Sequence, residues 1–311
     1  GSTFNIYGGT IQNGTAPTNY GGNIYIVTGG YFEMAGGTVR NGSADIGASN
    51  IHCGDDVTIS GGTVSGNIVE EGNGGAICIN SGSFLMSEGG DAVINGNVAQ
   101  MSADELGGYG GGVYVTSTSE TVEVDIFSGR IEGNSSAKRG GGIAVDMSAH
   151  PSVEAEVIVG KAGSTSVDVP DITGNITLYE GGGLYVNGNK ADVVINSGRI
   201  LNNRTVGYVA NPDVVNEGGM VTLNGGDVES VTVTYDGNGA GAVSTGGNSS
   251  ESQKIVTDTN NRLKIPAFTR SGYRFVRWNT RPDGLGPKDY VDGETVKRSS
   301  DLILYAIWEL D

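Results

Sequence analysis

Three stretches of this sequence decide its fold: GGGVYV at residues 110–115, GGGIAV at residues 140–145 and GGGLYV at residues 181–186. Each begins with three glycines and continues with three apolar or aromatic residues. Because successive side chains of a strand point to opposite faces, the first and third residues after the glycines share one face. Four variants of this phrase occur elsewhere, which marks an internal repeat. They are GGNIYIV from Gly21, ASNIHC from Ala48, GGAICI from Gly74 and GGMVTL from Gly218.

Aligning the seven phrases predicts a column of equivalent apolar residues that face the interior. Their numbers differ by 26 to 41, so each repeat is a coil of variable length. A second phrase, such as ISGGTVSGN from Ile59 or IFSGRIEGN from Ile126, lies between them, so a coil holds about three short strands. Such strands cannot bury a face alone, and parallel stacking of coils pairs their backbone edges. The predicted interior column is Ile24, Ile51, Ile77, Val113, Ile143, Leu184 and Val221.

Asparagine recurs at a fixed place in the coils, three residues after an apolar residue. Asparagine tolerates the left-handed backbone region and forms local hydrogen bonds, so it suits tight turns. We expect each of these side chains to bond its counterpart one coil away. The predicted turn ladder is Asn67, Asn97, Asn134, Asn175 and Asn203.

Composition supports an all-β repeat and excludes several classes of protein. Of 311 residues 55 are glycine, without the G-X-Y period of collagen, and 37% are hydrophobic. The formal net charge of −17 disfavours binding to nucleic acid and favours a neutral or cationic partner. No apolar run of roughly eighteen residues occurs, so no membrane insertion is predicted.

The glycine-rich phrases and their spacing resemble those of the right-handed parallel β-helix superfamily, over about residues 4–228. The resemblance rests on the repeat pattern and includes no catalytic signature. It implies an all-β fold, a right-handed parallel β-helix of about seven coils. We assign residues 1–229 to this domain.

The composition changes after Glu229, where the glycine phrases stop and aromatic and basic residues increase. YDGNG from Tyr235, SGYRFVRWNTRPDGLG from Ser271 and LYAIW from Leu304 resemble the internalin B-repeat family, also called the Listeria–Bacteroides repeat, over residues 230–309. The resemblance implies a small β-grasp-like module at residues 230–311 that serves as spacer or adhesion unit. It also implies an extracellular protein, secreted or on the bacterial cell surface. The predicted core aromatics are Tyr273, Phe275, Trp278, Tyr305 and Trp308.

Residues that follow the interior column by one place should point outward and form a column of their own. This column brings Tyr114 and Tyr185 onto one face, separated by Ala144, with Asp146 and Asn187 beside them. Flat rings with neighbouring amides and carboxylates suit a sugar, whose C–H face stacks while its hydroxyl groups need polar partners. We therefore predict ligand-binding residues Tyr114, Tyr185, Asp146 and Asn187. Stacking between neighbouring strands without any ligand is the alternative explanation.

Four carboxylates are the candidates for catalysis. Hydrolysis of a glycosidic bond needs two carboxylates that face each other across a cleft. Asp146 lies on the outward face, and Asp104, Glu105 and Glu180 lie in insertions that precede it. Solvated surface residues of an acidic protein are the competing explanation for all four.

The two cysteines and the histidine near them indicate neither a metal site nor a nucleophile. Cys53 aligns with inward residues and Cys78 with outward ones, so a disulfide between them is not expected. Their number excludes a cysteine-rich zinc site, and no cofactor or metal is predicted. His52 should lie beside Cys78, but no third group that would orient a thiol–imidazole pair is evident.

These observations favour a bacterial surface or secreted adhesion protein that binds glycans, with the β-helix as binding face and the C-terminal module as spacer. The expected partner is a glycan or a host or cell-surface protein, and we expect a monomer. A carbohydrate-active enzyme, either a glycoside hydrolase or a polysaccharide lyase, is the first alternative, because fold alone does not determine function. A rigid structural stalk is the second.

Overall fold

The computed structural model describes residues 2–18, 20–48, 50–118, 120–164, 169–207, 213–239 and 241–311. The chain divides into two compact units. The first comprises residues 1–219 and 223–229, and the second comprises residues 220–222 and 230–311. Both are built from strands and contain no helix within the described ranges, so none of the described segments is a helix that could span a membrane.

The first unit is a parallel β-helix, which confirms the predicted fold class. Each complete coil passes through four faces, and equivalent strands of successive coils pair in parallel. The first face is a sheet of seven short strands, in agreement with seven coils. Its strands are Ile24–Ile26, Ile51–Cys53, Ile77–Ile79, Val113–Val115, Ile143–Asp146, Leu184–Asn187 and Val214–Glu217.

The second and third faces form one bent sheet, because the long strands Gly30–Arg40 and Val57–Ser65 run through both. The second face also contains Ser2–Ile6, Phe84–Met86, Val122–Ile126, Ala155–Val159 and Ala191–Ile195. The third face also contains Thr10–Gln12, Val93–Asn95, Arg130–Glu132, Asp171–Thr173, Arg199–Leu201 and Asp227–Val228.

The fourth face is made of shorter pieces, most of them two residues long. They return the chain to the first face and complete a coil. Its strands are Thr15–Ala16, Ser43–Ala48, Ile68–Asn73, Val98–Ala99, Ser135–Ser136, Ile176–Thr177 and Arg204–Thr205.

The predicted interior column is confirmed in six coils and wrong in the seventh. Residues Ile24 to Leu184 of the column pair in register from coil to coil and are buried. In the last coil Val214 pairs with Leu184, whereas Val221 belongs to the second unit and pairs there with Asn261. The alignment missed Val214 because it follows Asp213 rather than a glycine pair, while a glycine pair does precede Val221.

The asparagine ladder is confirmed as a chain of buried amides. The Nδ2 atom of each asparagine donates to the Oδ1 atom of the next, at 2.8 to 3.0 Å from Asn67 to Asn203. Asn203 donates to Oδ1 of Asp213 at 2.9 Å, so a carboxylate ends the ladder. Burial raises the pKa of Asp213, although its hydrogen bonds from Asn203 oppose this. The left-handed residue of each turn is the one before the asparagine, such as Gly133 with φ of 63°, and not the asparagine itself.

Glycine and asparagine exchange places between early and late coils, and the glycine at each of these places lies against a buried amide. In an early coil the turn position is Gly42, where an added Cβ would lie 1.9 Å from Oδ1 of Asn50. In a later coil the turn position is Asn175, and Gly142 precedes the first-face strand, where a Cβ would lie 3.1 Å from Nδ2 of Asn175. Because interiors are close-packed, a side chain at Gly42 or Gly142 would displace the amide beside it.

The second unit contains a mixed sheet of five strands. Ser230–Asp236 and Leu302–Leu310 lie side by side in parallel at its centre. Ser250–Val256 and Tyr273–Asn279 flank them in antiparallel pairing, and Asp289–Tyr290 continues the sheet. Shorter strands are Val243–Ser244, Asn261–Arg262, Phe268–Thr269 and Thr295–Val296.

Aromatic side chains form the core of the second unit. Trp278 is buried, and its ring centroid lies 5.2 Å from that of Tyr235 and 5.7 Å from that of Phe268. Phe275 and Trp308 pack against this cluster, as the sequence predicts. Tyr273 and Tyr305 are only half-buried and lie outside it, which corrects their assignment to the core. Tyr273 instead packs under the guanidinium of Arg270, 3.9 Å from its ring centroid.

Candidate functional site

The predicted outward column exists, but part of it is covered. Tyr114 pairs with Ala144 and Ala144 with Tyr185, in the predicted register. Tyr185 is only 1% exposed and forms a buried cluster with Ala144 and Val215, against which Tyr109 and Tyr114 pack. The prediction of an open trough between the two tyrosines is therefore wrong, because Tyr185 presents no free ring face.

Side chains that precede the glycine phrases provide this cover. The Tyr109 ring centroid lies 6.3 Å from those of both Tyr114 and Tyr185, and Cζ of Arg139 lies 5.3 Å from the Tyr185 centroid. The Tyr185 hydroxyl donates to Oε2 of Glu217 at 2.7 Å, which satisfies its polar end. Burial raises the pKa of Tyr114 and of Tyr185 above the ordinary value. The cluster has the properties of a small second core outside the coil.

The candidate catalytic carboxylates have structural contacts or are exposed. Oε2 of Glu180 accepts a hydrogen bond from Nε of Arg139 at 3.0 Å, and the pair forms a salt bridge. Oδ1 of Asp146 accepts the backbone N–H of Ser148 at 2.9 Å and so stabilises a turn. Asp104 and Glu105 are exposed to solvent. The described geometry thus offers a structural explanation for Glu180 and Asp146 that needs no catalysis.

An exposed group of aromatic rings lies on the same face, at its N-terminal end. We call Tyr20, Tyr25 and His52 the aromatic platform. The His52 ring centroid lies 4.6 Å from that of Tyr20 and 5.3 Å from that of Tyr25, and the two tyrosine rings are 6.0 Å apart with 20° between their planes. Tyr20 is 42% exposed and Tyr25 is 53% exposed. Two nearly parallel rings therefore face solvent above a buried imidazole.

The imidazole of His52, which lies beneath the two tyrosine rings of the platform, is neutral at physiological pH. His52 is 4% exposed, and this burial lowers its pKa from 6.5 to about 4. Its Nε2 atom lies 3.5 Å from Nδ2 of Asn80, whose Oδ1 lies 3.4 Å from Sγ of Cys78. Burial also raises the pKa of the Cys78 thiol to about 12. Neither group has the charge state of an activated thiol–imidazole pair.

Both cysteines are free, as expected, and the structure shows that both are buried, including the outward-facing Cys78. Cys53 lies beside Ile79 in the register, and Cys78 lies beside His52 on the other side of the sheet. Among the residues that the structure describes, no group of three or more His, Cys, Asp or Glu side chains could hold a metal ion.

A cavity of about 830 Å³ adjoins the platform at Tyr25. Its walls include the apolar side chains of Phe4, Ile11, Ile24 and Val27, and none of the described residues that line it is charged. A predominantly apolar concave surface with a few polar groups is the usual character of a ligand site. Tyr25 therefore borders both an exposed stacking surface and this cavity.

Sequence reasoning placed Tyr25 and His52 in the outward column but missed Tyr20. The available signal was position: Tyr20 directly precedes the phrase at Gly21, just as Tyr109 precedes the phrase at Gly110. Residues at this place form a second outward column, because Tyr109 bridges to Arg139 and Arg139 to Glu180 in parallel. An aromatic residue there can pack over the ring of the first column.

Comparison with known proteins identifies the second unit alone. No curated protein and no solved structure matches the chain. Residues 232–307 match the family model of the Listeria-Bacteroides repeat domain, which confirms the resemblance read from the sequence. Because this family occurs in bacterial surface and extracellular proteins, the match indicates a bacterial surface protein that carries a Listeria-Bacteroides repeat domain after a parallel β-helix.

Proposed function

We propose that this bacterial surface protein binds uncharged glycans on the first face of its β-helix, at the aromatic platform. The observation that carries the proposal is the pair of exposed, nearly parallel rings of Tyr20 and Tyr25. Aromatic faces stack on the C–H surface of a sugar ring, and the sugar hydroxyl groups then bond to polar neighbours. The exposed amide of Asn80 lies beside the platform and supplies such a partner.

Tyr20 and Tyr25 supply the ring contact in place of Tyr185, which is covered. They lie on the same face that the sequence indicated. Half-buried Tyr114, Asp146 and Asn187 lie further along the same face. They would contact only a glycan long enough to extend past the platform. The Listeria-Bacteroides repeat domain would act as the spacer between this face and its point of attachment.

The test is a glycan array with the full 311-residue chain and three variants. Tyr20→Ala and Tyr25→Ala each remove one stacking ring, and we expect each to weaken binding to an identified glycan about tenfold, which corresponds to about 1.4 kcal/mol. Tyr31→Ala is the matched control, because Tyr31 is an exposed tyrosine on the second face. Binding that survives both platform substitutions unchanged would contradict the proposal.

A parallel assay for the release of reducing sugar separates binding from hydrolysis. Binding without release is expected, because Glu180 and Asp146 already have structural contacts. Release of reducing ends that is lost in Glu180→Gln or Asp146→Asn would instead support the glycosidase alternative.

A further inference from the structure

A cavity of about 430 Å³ lies at the corner between the second and third faces of the β-helix. Two arginines and two aspartates line it, together with Val169 and glycines of the turns; the charged residues are Arg130, Arg199, Asp91 and Asp171. The third-face strands of all these coils pair with a strand on either side, so the cavity lies within the stack. We call it the corner cavity.

The connection that leads to Asp171 is longer than its neighbours at this corner. Residues 127–129 and 196–198 join the second face to the third in the coils on either side, whereas residues 160–170 join them here. Of this connection residues 160–164 and 169–170 are described. Lys161 and Ser164 donate hydrogen bonds to the carboxylate of Glu88, two coils away, at 2.8 and 2.6 Å. Binding sites often lie beside connections of this kind on a rigid scaffold.

Two charged groups of opposite sign in the corner cavity are incompletely paired. Oδ1 of Asp171 is buried and has no hydrogen-bond partner in the described part of the chain, although Oδ2 pairs with Arg199. Arg130 stands beside Asp171 in the register, but Nε of Arg130 lies 3.6 Å from Oε1 of Glu132, which is longer than a hydrogen bond. Asp91, in the coil before Arg130, is exposed. Burial of an unpaired carboxylate oxygen is unfavourable, and a ligand that donates a hydrogen bond to it removes this penalty.

The lining of the corner cavity favours a ligand that carries both a positive and a negative group. A purely anionic ligand would meet the two aspartates and a chain of net charge −17, and a purely cationic one would meet the two guanidinium groups. None of the described lining residues is aromatic, so the C–H face of a sugar has no ring on which to stack. An α-amino acid bears an ammonium and a carboxylate on one carbon atom, and a cavity of about 430 Å³ can hold it.

We propose that the corner cavity binds a small zwitterion of the α-amino acid class. The ligand carboxylate accepts hydrogen bonds from the guanidinium of Arg130, whose planar fork suits a carboxylate. The ligand ammonium donates to Oδ1 of Asp171 and is attracted by Asp91. Arg130 and Asp171 lie on adjacent strands, about 4.8 Å apart, which suits the short separation of the two charges in an α-amino acid. Val169 is 40% exposed and offers an apolar contact to the ligand side chain.

Access to the buried oxygen needs only side-chain motion. Arg130 and Arg199 flank Asp171 in the register, and both side chains are more than half exposed. Exposed side chains change rotamer rapidly, so the two arginines can turn aside while the sheet stays intact. The corner cavity shares no residue with the aromatic platform, and the proposal does not rest on glycan binding.

Binding of α-amino acids to the full 311-residue chain tests the proposal. The common α-amino acids of both configurations are screened one by one by saturation-transfer NMR, and calorimetry measures the dissociation constant of the tightest. We expect its N-acetyl derivative, which lacks the positive charge, and its amide, which lacks the negative charge, each to bind at least about tenfold more weakly. Binding of no amino acid, or equal binding of the zwitterion and both derivatives, would overturn the proposal.

Two substitutions assign the two charges of the ligand. Arg130→Gln should weaken binding of the zwitterion at least about tenfold and leave binding of the amide unchanged, because the amide has no carboxylate to lose. Asp171→Asn should weaken both the zwitterion and the amide. Both variants should keep the wild-type melting temperature, because these substitutions preserve the size of the side chains at the surface.

Control variants separate this cavity from other surfaces. Arg204→Gln removes an exposed arginine of the fourth face and should leave the affinity for the amino acid unchanged. Tyr20→Ala and Tyr25→Ala should also leave it unchanged, so failure of one proposal is distinguishable from failure of the other. Amino-acid binding that is unaffected by both Arg130→Gln and Asp171→Asn would place the ligand elsewhere and overturn the proposal.

Discussion

The two units of this protein reach stability in different ways. The β-helix repeats a small set of buried apolar residues and a buried amide from coil to coil, so that each coil depends on its two neighbours. The Listeria-Bacteroides repeat domain has a single core of large rings around Trp278. A repeat of small contacts distributes stability along the stack, whereas a domain of about eighty residues depends on a few bulky side chains.

The two units also differ in their formal net charge. Ten acidic and ten basic residues lie in residues 230–311, so the other 25 acidic and 8 basic residues give residues 1–229 the whole net charge of −17. In the β-helix, acidic side chains such as Glu123 and Glu156 occupy the exposed positions of the strands. A net charge far from zero opposes association of like molecules. The second unit carries no formal net charge, and its ion pairs include Arg277 with Asp289 at 2.8 Å.

The largest expected effect tests whether the two units unfold separately. Trp278→Ala should destabilise the second unit by about 3–5 kcal/mol, because it removes a buried ring in contact with Tyr235 and Phe268. Differential scanning calorimetry should show one transition shifted strongly downward and the β-helix transition unmoved. Ile143→Ala, in the interior column of the β-helix, is the counterpart and should shift only the other transition. Coincident loss of both transitions in either variant would contradict independent stability.

The next effect tests the amide ladder. Asn134→Ala should reduce the free energy of unfolding of the β-helix by about 3 kcal/mol, because it leaves the buried N–H of Asn97 without an acceptor and the carbonyl of Ile94 without a donor. Denaturant unfolding followed by circular dichroism measures this change. Asn95→Ala, a half-buried asparagine two residues before the ladder position of its coil, should change stability by less than about 0.5 kcal/mol. Equal effects of the two substitutions would show that the hydrogen bonds of the ladder do not contribute to the free energy of unfolding.

A smaller effect concerns pH and the platform. The folded pKa of His52, about 4, lies below its ordinary value of 6.5, so the folded state binds fewer protons than the unfolded state. The stability that His52 contributes is therefore present above pH 6.5 and is lost as the pH falls toward 4, to a limit of about 3 kcal/mol. Unfolding curves between these pH values should be flatter for His52→Gln than for the wild type. Equal slopes in wild type and His52→Gln would refute the assignment.

The smallest effect concerns the third face. Arg130, Asp171 and Arg199 stand in register there, and Asp171 forms a salt bridge with Arg199. Because the Arg199 side chain is mostly exposed, Asp171→Ala should cost only about 0–1 kcal/mol, and less at high salt. Thermal unfolding at two ionic strengths measures both. A large loss that does not respond to salt would show that Asp171 acts through burial rather than through this ion pair.

Much of the β-helix could be read from the sequence, for a specific physical reason. Alternation along a strand determines which side a residue faces, so the inward positions of Ile77, Val113 and Ile143 and the outward positions of Tyr114 and Tyr185 were predictable. The spacing of asparagines from apolar residues predicted a ladder between coils, and the aromatic motifs predicted the family of the second unit. The last coil was misread because Val214 lacks the glycine signal on which the alignment depended.

The tertiary structure alone decided which outward rings are accessible. Facing outward and being exposed are different properties, because the segments before the glycine phrases fold back over the first face. Tyr109 and Arg139 cover Tyr185, whereas Tyr20 packs against His52 and leaves Tyr25 open to solvent. The sequence therefore determined the coil and its register through local alternation and spacing, and the family of the second unit through its aromatic motifs. The accessible surface depended on contacts between residues distant in the chain, which no local period specifies.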